Sequence, residues 1–196
     1  SIRDLAIRNA STSGFGAAIH HTGAGAVTLS NLLVTDNAAG GFGGAVNNNA
    51  SGAISIQTST IARNTAQGSA FGGGTRNNRT GSISIADSVV SENTAGGWGG
   101  GVNNNWTGTI GITGSELSDN TATGWGGGIN NNDDGTVTIA LATITGNSAE
   151  NGGGINNNDG GTVTVTSSSI SANTATGTLG GGGILNNSLG TVTIAA

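Results

Sequence analysis

Seven copies of one unit fill this chain, and that periodicity limits what it can fold into more than any other feature. The unit is clearest at 125–149, which reads WGGGINNNDDGTVTIALATITGNSA. Its loop glycine recurs at Gly25, Gly52, Gly81, Gly108, Gly135, Gly161 and Gly190, at intervals of 26 to 29 residues. An apolar pair follows each one: Val27/Leu29, Ile54/Ile56, Ile83/Ile85, Ile110/Ile112, Val137/Ile139, Val163/Val165 and Val192/Ile194. Eight residues past each of the first six pairs stands an asparagine, at Asn37, Asn64, Asn93, Asn120, Asn147 and Asn173. A fixed period in this range marks a solenoid, in which each unit packs on its neighbours.

Inside the unit the apolar residues alternate, as in a strand. Val137 and Ile139 face one way, Thr136 and Thr138 the other. A second short strand surrounds the row Ile7, Val34, Ile61, Val90, Leu117, Ile144 and Ile170, and a third the row Ile19, Val46, Thr75, Val102, Ile129, Ile155 and Ile184. Three short strands per ~27 residues describe an all-β fold, a parallel β-helix of about seven coils. At about 4.8 Å per coil the rod is roughly 34 Å long. The indels agree with this. The spacing from the glycine run to the loop glycine is constant (Gly101 to Gly108, Gly128 to Gly135), while length changes fall only between the Asn row and the next glycine run. One corner therefore carries the variable loops. Residues 1–9 join the grid if Ile2 takes the Leu29 row and Ile7 the Val34 row, which puts Ala10 in the Asn row. The chain reads as a single domain, 1–196, without polar caps. Ser1 carries no initiator Met or signal peptide, which suggests a processed or excised piece. Such ends imply a longer chain or copies stacked head to tail.

With 39 glycines, no proline and 8% charged residues, composition alone would suggest disorder, but the apolar rows argue otherwise. There is no cysteine, so no disulfide or Cys-based metal site. A net charge of −5 with five scattered arginines and no lysine gives no basic patch for nucleic acid. No apolar run approaches a membrane span of about 18 residues. The GGG runs lack the Lys-Ser/Thr of a phosphate loop, and no Ser-His-Asp order or carboxylate pair recurs. These absences point to a non-enzymatic protein without cofactor or metal.

Four rows could carry function. The Asn row, Asn37 to Asn173, follows an apolar residue by three positions and reads as an internal amide ladder. The triplets Asn47–Asn49, Asn103–Asn105, Asn130–Asn132 and Asn156–Asn158 read as a tight left-handed corner. They vary to Arg76-Asn77-Asn78, Leu185-Asn186-Asn187 and His20-His21-Thr22. An aromatic row, Phe15, Phe42, Phe71, Trp98 and Trp125, lies four residues before the Ile129 position. Alternation from Ile129 points it inward as a core stack; outward, it would be a platform for sugar rings. Trp106, beside its triplet, is the better single candidate for an exposed glycan contact. Asp133, Asp134 and Asp159 are too sparse for the six to eight oxygens of a calcium site. Finally, Thr136/Thr138, Thr162/Thr164 and Thr191/Thr193 form an outward Thr-x-Thr face, which resembles the ice-binding face of β-solenoid antifreeze proteins. It degrades toward the N-terminal coils through Thr109/Gly111 and Ser82/Ser84.

The paired signals Val34-Thr35-Asp36-Asn37 then Gly43-Gly44-Ala45-Val46, and Leu117-Ser118-Asp119-Asn120 then Gly126-Gly127-Gly128-Ile129, resemble the FxxN and GGA(I/L/V) repeats of polymorphic outer membrane proteins. That resemblance spans the chain and implies a right-handed parallel β-helix with surface display and adhesion. This chain has Ile, Val or Leu where the family has Phe, and it has no autotransporter barrel. The resulting expectation is an extracellular or cell-surface adhesin or structural rod. Its partners would be its own copies, or a cell-surface glycan or protein. The alternatives are ice binding through the Thr face, and a polysaccharide-binding or polysaccharide-degrading β-helix, since polysaccharide lyases share the fold.

Overall fold

The computed structural model describes residues 1–196 and contains no helix. Every strand pair is parallel, and each coil lies on the next as a β-solenoid of about seven turns. The three expected strands are present in each complete coil. The first row is formed by Ala53–Gln57, Ser82–Ala86, Thr109–Thr113, Thr136–Ala140, Thr162–Thr166 and Thr191–Ala195. The second holds Thr60–Ala62, Val89–Ser91, Glu116–Ser118, Thr143–Thr145 and Ser169–Ser171. Near the start, the single strand Ala26–Thr35 runs through both rows and joins them into one sheet. The row of Val46–Asn48, Ile129–Asn131 and their counterparts forms a separate sheet. A further row of two-residue strands, such as Thr94–Ala95 and Thr121–Ala122, directly follows the Asn row. The N-terminal register is as read from the sequence: Ile2 pairs with Leu29 and Ile7 with Val34.

Single left-handed residues bend the coil between rows. Asn31, Thr58, Asp87, Gly114, Leu141 and Ser167 do so after the first row, and Asp36, Arg63, Glu92, Asp119, Gly146 and Ala172 after the second. Such a conformation is costly for Thr58 or Leu141. It persists because both flanking strands are tied to the coils above and below.

Between these corners the Ile, Val and Leu rows point inward and pack as one core; Ile110, Leu117, Ile129, Val137 and Ile144 have no measurable exposure. Full burial of each such side chain stabilises the fold by about 1.5–3 kcal/mol. The asparagine row completes that interior. Asn37, Asn64, Asn93, Asn120 and Asn147 are buried, with Asn173 half-buried in the last coil. Each Nδ2 donates to the Oδ1 of the asparagine in the next coil at 2.8–3.0 Å, from Asn37 through to Asn173. The same oxygen accepts the backbone N–H of the preceding asparagine at 2.9–3.1 Å. The second Nδ2 proton goes to a carbonyl of the preceding coil, as from Asn120 to Val90 at 2.9 Å. An asparagine has two donors and two acceptor positions, so Asn120 is saturated. Even Ala10, which has no amide, gives its backbone N–H to Asn37 Oδ1 at 3.0 Å.

Two further ladders were not anticipated. Ser59, Ser88 and Ser115 accept the backbone N–H of the preceding coil at 3.0–3.1 Å, at the turn between the first two rows. The middle residues of the triplets, Asn48, Asn77, Asn104, Asn131, Asn157 and Asn186, chain together at 2.8–3.0 Å. Each also donates to the carbonyl of its own loop glycine at 2.7–2.9 Å. That clamp explains the constant spacing from glycine run to loop glycine. It also explains the glycine: a Cβ on Gly135 would lie 2.6 Å from both Asn104 Nδ2 and Asn131 Oδ1. The reading of the triplets as left-handed corners is therefore corrected. Their first two asparagines are buried strand residues, and the left-handed residues come later, at Arg79, Trp106 and Asp133.

Asn120→Ala removes the acceptor of both Asn93 donors, its backbone N–H and its Nδ2. It should lower stability by about 1–3 kcal/mol or more, read as a shift in the urea midpoint at unchanged slope. A midpoint equal to the parent's would show that the ladder contributes nothing.

Candidate binding surfaces

The aromatic row does form a continuous stack, but not inside. Phe15–Phe42, Phe42–Phe71, Phe71–Trp98 and Trp98–Trp125 have ring centroids 5.5, 5.0, 4.6 and 5.9 Å apart and interplanar angles of 1–28°. None of these rings belongs to the hydrophobic core; Phe15 is exposed and the other four are half-buried. The inward expectation failed because strand parity does not survive the turn. The residue after each ring, Gly16, Gly43, Gly72, Gly99 or Gly126, is left-handed, with φ between 57° and 71°. It resets which side the next residue faces. The stack instead covers the first position of each triplet, which points outward from its strand. Asn47, Asn103, Asn130 and Asn156 are fully buried there even so, and the ring of His20, in the same row, lies 5.8 Å from Phe15. Because the rings face one another, their edges rather than their faces meet solvent, which removes the sugar platform the sequence suggested.

The outer side of the first strand row is different. Thr136, Thr162 and Thr191 stand in register, as do Thr138, Thr164 and Thr193. Thr138, Thr191 and Thr193 are exposed, and Thr136, Thr162 and Thr164 are half-buried. No loop covers them. From Ala26 to Ala195 the outward positions of this row hold only Ala, Ser, Thr and Gly apart from Gln57, and the row's one charge is Arg3, at its N-terminal edge. Neighbouring hydroxyls repeat at about 4.8 Å along the axis and about 6.6 Å along the strand.

A third surface centres on Trp106, which is 60% exposed. On one side it lines a recess of about 120 Å³ with Asn78 and Arg79, and on the other a recess of about 280 Å³ with Thr107, Asp133 and Asp134. Turning the Asn105 amide lets its oxygen accept from the indole N–H at 2.9 Å and its nitrogen donate to Asp133 at 3.3 Å. No three carboxylates or imidazoles converge at this corner. The two histidines stand in for ladder asparagines. His20 Nδ1 meets Asn47 Nδ2 at 3.0 Å, and His21 Nε2 meets the carbonyl of Gly25 at 2.9 Å. Asp36 is held by both Nε and a terminal nitrogen of Arg63, at 2.9 and 3.1 Å, and this hydrogen bonding keeps its pKa below the usual carboxylate value.

No family model, curated protein or solved structure matches the chain. What the structure establishes is a β-helix repeat protein with asparagine ladders.

Trp98 stacks on both Phe71 and Trp125, so Trp98→Ala should cost on the order of 1–3 kcal/mol for two lost ring contacts. In the parent, acrylamide should quench the exposed Trp106 more strongly than the stacked Trp98 and Trp125. Equal quenching of all three indoles, resolved by single Trp→Phe variants, would contradict the arrangement.

Proposed function

We propose that this chain is a non-enzymatic, extracellular binding solenoid whose working face is the outer side of the first strand row, and that the ligand of this face is ice. The observation that carries the reading is the register of its threonines in the last three coils, where the sheet face has no charge and no bulky side chain. A lattice of methyl and hydroxyl groups offers little to a soluble ligand, since it has no pocket, ring face or ion. It suits a partner that is itself extended and periodic. The methyls order the water next to them, and the hydroxyls anchor that water by hydrogen bonds. A charged side chain would hold a competing hydration shell of its own. The strongest part of the lattice lies in the last three coils, where both columns are Thr.

A second reading, a surface adhesin or rod of the kind the polymorphic outer membrane protein repeats suggest, is favoured by the Trp106 corner. There an exposed indole is flanked by a cation and two carboxylates, a combination suited to a glycan. End-to-end contact with further copies belongs to the same reading.

Thermal hysteresis and ice shaping decide between them. Thr164→Lys should remove most of the activity, while Thr123→Lys, on an exposed turn outside this row, should leave it intact. A parent protein that neither shapes ice nor lowers its growth temperature rules out the ice reading. Glycan binding lost in Trp106→Ala would then support the adhesin.

A further inference from the structure

The first triplet position forms a row of its own: His20, Asn47, Arg76, Asn103, Asn130, Asn156 and Leu185. Where asparagine is continuous, the amides pair. Asn156 Nδ2 donates to Asn130 Oδ1 at 2.8 Å, and Asn130 Nδ2 to Asn103 Oδ1 at 2.9 Å. Arg76 breaks this chain in the middle of the rod. Its neighbours are left short on both sides: Asn103 Nδ2 and Asn47 Oδ1 are buried without a partner, and so is Arg76 Nε. An asparagine here would satisfy both neighbours, so the arginine is a departure the fold does not ask for. Buried polar groups left unpaired call for an explanation.

Arg76 is only 5% exposed, yet it makes no ion pair; the one salt bridge in the molecule is Arg63–Asp36. Its guanidinium carbon lies 4.3 Å from the centre of the Phe42 ring. Burial lowers its pKa to about 10, so it stays charged at neutral pH. Of its three nitrogens only Nε is sealed from solvent without a partner, which leaves the planar end of the fork at the surface, with its carbon held over the Phe42 ring in a cation–π contact.

We propose that Arg76, beside the Phe42–Phe71 part of the aromatic column, is an anion subsite that takes a carboxylate group. A guanidinium fork matches a carboxylate in a two-point contact, and the site holds no acid of its own to compete. The carboxylate could belong to a small free acid or to a uronic-acid residue of a glycan. This subsite lies on a different sheet from the threonine face and does not depend on the reading proposed for it.

The test uses glucuronate, acetate and an oligogalacturonide as probes, with glucose as the neutral control. The readout is the Arg76 Nε–H resonance of the full chain and the affinity of each probe. The parent should shift that resonance with a carboxylate and not with glucose. Arg76→Asn should weaken binding by about tenfold or more, as expected for loss of a charge-assisted pair. Arg8→Asn, an exposed arginine of the N-terminal strand Ile2–Arg8 outside both proposed surfaces, should bind as the parent does. Since asparagine repairs the amide chain, Arg76→Asn should melt no lower than the parent, which separates lost binding from lost folding. Acetate and glucuronate binding as well as the oligomer would mark a site for free acids; preference for the oligomer would mark a glycan site. An Arg76 resonance unmoved by every carboxylate, or Arg76→Asn binding as tightly as the parent, overturns the proposal.

Discussion

Axial hydrogen bonding is the constraint on which everything else here depends. Each coil has too few residues to enclose a core alone, so its backbone and buried amides must be satisfied by the coils above and below. The strands do this in part, but they are short. Side-chain ladders take over where the strands stop. The Asn37–Asn173 ladder holds the corner after the second row, the serine ladder the corner after the first, and the Asn48–Asn186 ladder the turn into the loop glycine. Asparagine suits this task because one planar amide donates and accepts along the same axis. Every member of the main ladder is aligned the same way, so each coil offers the next an identical set of donors and acceptors.

Once the interior is fixed from within, the outward positions are free to differ from coil to coil, and the molecule uses them in three ways. One side carries small uncharged residues in register, another a column of stacked rings, and a corner the exposed Trp106. The ring column shows how closely surface and fold are coupled. It covers an outward-facing amide row that would otherwise meet water, and the glycine after each ring makes that cover possible. Arg76 interrupts the amide row in the middle of the rod, and its neighbours are left with unpaired polar atoms as a result.

Much of the fold was legible because a period of about 27 residues turns seven weak signals into one strong one. Val137, Ile139 and Ile144 announced strands by alternation, and the isolated Asn147 announced a ladder by its fixed distance from them. Parity failed at Trp125, where the left-handed Gly126 stands between ring and strand. The triplets misled because Asn130 and Asn131 are adjacent yet face opposite sides, one beneath the rings and one in an inner ladder. Two-residue strands such as Thr121–Ala122 are too short to show alternation at all. Function was less legible than fold because the repeated residues mostly serve the ladders. Arg76 could have been found as the one charged residue in its row.

An amide ladder that holds the coils together must be as stable as the solenoid itself. Hydrogen exchange of the side-chain carboxamide protons of Asn93, Asn120 and Asn147, followed by NMR, tests it most directly. These protons should exchange only through global opening, with the same free energy as the slowest strand amides. Carboxamide protons that exchange as fast as those of the loops, while the strand amides stay protected, would show that the ladder follows from the fold and does not hold it.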